Sequence, residues 1–175
     1  MSLKIGKALE LILEGITIPI GESNKQLTLK THYGDQFELN KWVGIQNASK
    51  RTKYPLAYYA LNKDYKEANG WIRSKVMLIL LTQGEYTELN GKRLVESYEK
   101  ILYPLAEKIE SELIKSNFVT LFGKYNTRFK RIDDPLMSIS ADDFTKLSSK
   151  GKSATTDVVD ALVLEFEAEI NTNCV

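Results

Sequence analysis

The sequence predicts an α+β domain, a mostly antiparallel sheet with helices packed on one face. Helix-like and strand-like segments follow one another without the regular βαβα alternation of a parallel, doubly wound sheet. Two long segments, Trp71–Gln83 and Asp157–Asn171, are built like strands, whereas Arg93–Ser116 repeats its apolar residues like a helix. The 175 residues, 43% hydrophobic and 27% charged, suit a single domain spanning residues 1–175 that folds without disulfides or structural metal.

Residues 2–14 carry Leu3, Ile5, Ala8, Leu9 and Ile12 near a 3.6-residue stripe, with Ser2 as N-cap and Gly15 as stop, and so form a helix. After the break at Pro19–Gly21, Gln26–Tyr33 reads as a strand with Leu27 and Leu29 on one face. Gly34 and Asp35 turn the chain into a helix over 36–48. Tyr54–Leu61 is an aromatic-rich strand, with Pro55 at its start, where a missing donor is tolerated.

Trp71–Gln83 begins by alternating and turns apolar on both faces through Val76–Leu81, as expected where one face meets helices and the other a neighbour. In Arg93–Ser116 the helical stripe is Leu94, Tyr98, Ile101, Leu105, Ile109 and Leu113. Pro104 lies inside it, and its missing N–H and its ring predict a kink or restart there. Thr127–Asp134 and Asp157–Asn171 complete the strands. In the last, Leu162, Leu164, Phe166, Ala168 and Ile170 face one way, with Glu165, Glu167 and Glu169 opposite.

Pro135–Thr156 is rich in Ser, Thr, Lys and Asp and lacks periodicity, so an extended loop or arm is expected. Unstructured loops longer than about 12–15 residues are uncommon in a compact domain unless they are functional or disordered. Burial of Leu136, Met137, Ile139 and Phe144 against a neighbouring subunit would hold such an arm, and Tyr58 is a further candidate for that interface.

No catalytic, cofactor-binding or metal-binding constellation is expected. His32 is the single histidine and has no cysteine beside it, short of the three or four ligands of a zinc site. Asp133-Asp134 and Asp142-Asp143 suggest a two-metal nuclease only if partners converge, because consecutive side chains point apart. Lys150–Ser153 lacks the first glycine of a phosphate loop and stands in a loop context. Lys124–Arg131 interleaves four cations with Tyr125 and Phe129, a pattern shared by single-strand binders and by charge-guarded edge strands. Twenty-four basic against twenty-three acidic residues give no overall pull towards nucleic acid or membrane. Cys174 is the only cysteine, so no intramolecular disulfide forms, and no signal-peptide core or 18-residue apolar span occurs; synthesis and folding in a cytoplasm are expected.

The run Tyr33-Gly34, Glu38-Leu39-Asn40 and Lys53-Tyr54-Pro55-Leu56 resembles neck and tail-completion proteins of tailed bacteriophages, including those of Bacteroides-type hosts (crAss-like phages). The element order, with Tyr103-Pro104 inside the late helix, is similar to the tail-terminator fold over about residues 2–171. The resemblance implies a virion structural protein without catalysis or cofactor. It would form a hexameric or dodecameric ring with itself, between portal or adaptor and tail proteins, closing the tail or extending the DNA channel. DNA would pass near it without specific contact. The alternatives are an assembly chaperone or regulatory protein-binding module, and a small metal-dependent nuclease using Asp133, Asp134 and Asp142.

Overall fold

The computed structural model describes residues 2–20, 25–35, 38–39, 54–61, 65–84, 89–123, 128–139 and 157–171. Its architecture is α+β with a mostly antiparallel sheet, as the absence of βαβα alternation predicts. The first helix, α1 (Ser2–Leu13), buries Ile5, Ala8, Leu9 and Leu13, while Leu3 is turned outward at 55% exposed. Gly15 ends it in the left-handed region at φ +79°, which a side chain would resist.

The expected strand Gln26–Tyr33 is instead two strands in different sheets. β1 (Thr17–Ile20) pairs antiparallel with β2 (Lys25–Thr28) in a small hairpin. The chain passes Leu29, whose N–H donates to the Ile16 carbonyl at 2.8 Å, and enters β3 (Lys30–Gly34) of the main sheet. A single apolar pattern across 26–33 conceals that change of partner.

Two long strands carry the main sheet, β6 (Trp71–Gln83) and β9 (Asp157–Asn171), paired antiparallel from Trp71–Asn171 to Gln83–Val159. Each has two shorter strands end to end along its outer side. Beside β6 lie β4 (Leu56–Ala60) and β5 (Tyr65–Ala68). Beside β9 lie β7 (Val119–Leu121) and β8 (Lys130–Ile139). β3 pairs with β4, the one parallel pairing among the described residues.

The strand expected over Thr127–Asp134 begins later and ends later than that. β8 runs on through Pro135 to Ile139, crossing a register irregularity between Asp134 and Met137, where the missing proline donor is tolerated. Pro135–Ile139 therefore belongs to the sheet and not to a loop. β1, β5 and β7 are not among the strands that the sequence predicts, and β1 runs through Pro19, where a break is expected. Asn69-Gly70, both at positive φ, joins β5 to β6 and is the standard signal of a two-residue hairpin.

α1, the β1–β2 hairpin and the late helix cover one face, burying Leu78, Leu80, Leu162, Leu164 and Ile170 with Leu105, Ile109 and Leu113. The alternation read in β9 holds on that face, and Glu165, Glu167 and Glu169 stand on the other. At one end the second face is also covered, by the chain itself. Leu39, Leu56, Tyr58, Ile79, Leu81, Val159 and Ala161 form a second buried cluster. The double-sided apolar character of β6 thus finds its cover there inside the same chain, where a neighbour was expected. Asp35 starts that covering segment: its Oδ1 accepts from the Glu38 N–H at 2.9 Å, and Glu38 and Leu39 are helical. The rest of the helix expected over 36–48 lies outside the described residues.

Candidate functional site

The late helix is where charge, burial and backbone geometry depart furthest from an ordinary core. It opens with α2 (Asn90–Arg93), continues as a nine-residue π-helix over Leu94–Leu102, and becomes α3 (Tyr103–Lys115). Pro104 stands in the first turn of α3 and cannot donate to the Lys100 carbonyl, and the Tyr103 N–H reaches back five residues to the Tyr98 carbonyl. The kink or restart expected at Pro104 is therefore a change of winding.

That winding decides which side chains enter the core. Arg93 and Leu102 are nine residues apart and are 1% and 0% exposed. In an α-helix, at about 100° per residue, they would stand on opposite sides. Hydrogen bonds of the i→i+5 type widen the turn to roughly four and a half residues, so nine residues make two turns and both point inward. Leu94, expected on the buried stripe, is 44% exposed instead, while Ser97 and Tyr98 are buried.

Arg93 Nη1 donates to Asp160 Oδ1 at 2.6 Å, and both side chains are sealed from solvent. Gly84, at the end of β6, makes room: a Cβ there would lie 2.9 Å from Arg93 Nη1 and 3.2 Å from Asp160 Oδ2. The Tyr98 hydroxyl donates to the Ala161 carbonyl at 3.1 Å, and burial, with the nearby Asp160 charge, raises its pKa. Tyr103 donates to Asp133 Oδ2 at 2.9 Å, and the Arg131 guanidinium grips both oxygens of Glu110 at 2.8 and 2.9 Å. β8 is thereby fastened to α3. A cavity of about 180 Å³ lies among Asn90, Arg93, Leu94, Tyr98 and Asp133.

The sheet's other face holds a broader groove of about 740 Å³ where Met77, Lys75 and Glu165 meet Phe122 and Arg128. Its charges are paired: Arg73 with Glu167 at 2.9 Å, Lys130 with Glu165 at 3.0 Å, and Arg73 stacks over Phe122 at 3.9 Å. Of the basic run Lys124–Arg131, the described cations Arg128, Lys130 and Arg131 all have partners within the chain, and 124–127 lie outside the described residues.

The interface residues expected from sequence fall differently. Tyr58 is 1% exposed, and its hydroxyl donates to the Asp35 carbonyl at 2.6 Å, so its ring belongs to the chain's own core. Burial and the Glu38 and Asp35 charges raise its pKa. Leu136, Met137 and Ile139 lie on β8, with side chains outside the described set; Phe144 lies outside the described residues altogether. His32, in β3, stacks with Tyr33 and lies tilted against Tyr58 of the neighbouring β4. Asp133 and Asp134 are consecutive on β8 and face opposite sides of the sheet, and Asp142 is outside the described residues. Among the described residues no group of three or more His, Cys, Asp or Glu side chains is placed to hold a metal, and no helix is long and apolar enough to cross a membrane.

Comparison of the chain with protein-family models, with curated proteins and with solved structures gives no match.

Proposed function

We propose that the chain is a non-enzymatic structural subunit that assembles laterally into a ring in the head–tail connector, or at the tail end, of a tailed bacteriophage. The observation that supports the reading most is the group of exposed large apolar side chains at the start of the late helix. Leu89, Leu94 and Val95 cluster at the start of the late helix, and Leu89 is 81% exposed. Met77 and Ile132 lie on the sheet's second face, Ile114 and Phe118 at the end of α3, and Leu3 and Leu11 on α1. A closed ring uses a heterologous contact, one patch of each copy meeting a different patch of the next, and its two axial faces meet other proteins. The group Leu89, Leu94 and Val95 is the candidate for that contact, since apolar residues scattered singly are ordinary on a protein surface. The resemblance around Tyr33–Leu56 supports the same reading. Sedimentation velocity and native mass spectrometry test it: the protein is expected to form a discrete oligomer, alone or on mixing with portal and tail proteins. A strict monomer that joins no such particle refutes it.

A further inference from the structure

The regular stretch of β8, Lys130 to Asp134, reads Lys, Arg, Ile, Asp, Asp. Laid antiparallel against itself, that order sets an acid opposite every base, with Ile132 at the centre. Among the described residues β8 pairs with β9 alone, along one edge, and every residue from Lys130 to Asp134 is exposed. We propose that the outer edge of β8 is a self-recognition surface: two copies of the chain join β8 to β8 about a two-fold axis at Ile132, and the sheet continues from one copy into the other. A two-fold contact uses the same patch of both copies and closes after two, so the pairing does not rest on the ring reading.

The charges choose the register. A two-fold axis perpendicular to the sheet keeps each side chain on its own face, and opposite residues share a face, so the axis passes through a residue. At Ile132 it brings Lys130 to Asp134 and Arg131 to Asp133 of the second copy, each pair occurring twice. At Arg131 or at Asp133 it would set two like charges directly opposite, which opposes association. Apolar contact agrees with that choice. On the face away from the helices, Ile79, Val163 and Ile132 form a row across β6, β9 and β8, and Ile132 at its end is 37% exposed. In the pair the row runs on into the same residues of the second copy, an apolar centre with Lys130 against Asp134 on either side. On the helix face Arg131 is held by Glu110 and Asp133 by the Tyr103 hydroxyl, so both charges already stand on the side where they meet. Edge strands commonly carry charge that keeps other chains off, and a guard of one sign repels its own copy as well. The mixed order in β8 leaves a foreign strand mismatched and a second copy matched. A register irregularity and Pro135, which has no N–H to give, end the regular edge directly after Asp134 and confine pairing to the matched stretch.

Two measurements on the full chain test the pairing. In a Cys174→Ser background, Ile132→Cys places a thiol opposite its own copy, where Cα atoms about 4.5–5.5 Å apart lie within disulfide reach. With oxidised glutathione it is expected to form linked dimers roughly tenfold or more faster than Val95→Cys, which is 40% exposed on the late helix. Lys130→Glu and Asp134→Lys each set like charges opposite one another, and each is expected to weaken self-association roughly tenfold or more in sedimentation velocity at low salt. Mixing the two variants restores it as a heterodimer, because each then offers the other the opposite charges. Equal linking at positions 132 and 95, single variants that associate as before, or no recovery on mixing overturns the pairing. Both charge substitutions are at exposed positions; circular dichroism checks their folding, and the linking rates decide alone should either unfold. A ring that forms without preferential linking at 132 refutes the pairing and leaves the ring reading standing, whereas dimers linked at 132 that build no larger particle do the reverse.

Discussion

One strand offers the same substitution in two surroundings, and so measures what covers the second face of the sheet. Val159 and Val163 both belong to β9 and point away from the helices. Val159 is 0% exposed in one cluster with Leu39 and with Leu56 and Leu81 of the same sheet, whereas Val163 is only partly buried at the margin of that cluster. Val→Ala removes two methyl groups, about 1.6 kcal/mol of transfer free energy when fully buried at about 0.8 kcal/mol each. A cavity contribution adds to this where the surroundings cannot collapse. Val159→Ala is therefore expected to destabilise by about 2–3 kcal/mol and Val163→Ala by less than about 1 kcal/mol. Urea unfolding followed by circular dichroism gives both values, with an unchanged m-value showing that the transition is the same. In a Leu39→Ala background the loss at Val159 should shrink, because the cover is already thinned. Equal losses at the two valines would mean that the segment after β3 does not cover this end of the sheet.

The buried tyrosines predict an alkaline limit. Tyr58 and Tyr98 stay protonated in the folded protein well above the ordinary value near 10, mainly because burial disfavours the phenolate. Their contribution is complete below pH 10 and lost as pH rises beyond it, since only the unfolded chain releases those protons. Stability should fall by roughly 1.4 kcal/mol per pH unit for each of the two, measured by urea unfolding between pH 10 and 11.5, and Tyr58→Phe should roughly halve the slope. Two glycines should respond oppositely to alanine. A Cβ at Gly6 would collide with the Tyr33 ring, so Gly6→Ala should lower stability by about 1–2 kcal/mol despite the better helix former. Nothing lies within 4 Å of a Cβ at Gly91, so Gly91→Ala should raise stability by a few tenths to about 1 kcal/mol, both read as shifts in melting temperature.

The parts of the fold legible in the sequence were those where one physical rule acted alone. Trp71–Gln83 and Asp157–Asn171 have the strand bounds that periodicity gave them, because a long strand buried on a helix layer must alternate. Gly15 stops α1 because a positive φ favours a residue without Cβ. Where two rules compete, the pattern misled. Leu94 sits on a good α stripe, yet the proline and the Arg93–Asp160 contact favour a wider winding that turns it outward. Asp160 is one polar residue near the start of a strand, and Arg93 stands where the helical stripe begins. Their pairing joins positions 67 residues apart, and no local signal carries that. Tyr58 has the composition of an interface residue, but its neighbours bury it. Asn69-Gly70 has the residues of a two-residue hairpin, but β5 is four exposed residues with no apolar alternation, so nothing beside that turn marks a strand.

The central pairing also has a consequence in time. Arg73 meets Glu167 across 94 residues of chain, and the whole of β6 waits for β9 in the same way. During synthesis, then, the apolar run at Leu78–Leu81 leaves the ribosome long before the strand that flanks it exists. Closing so long a loop is slow, and a hydrophobic strand with one edge open in the interval is a site for misassociation. The newborn chain should therefore depend on chaperone protection until the segment around Leu162–Ile170 has emerged, and truncation before Asp157 should yield insoluble protein.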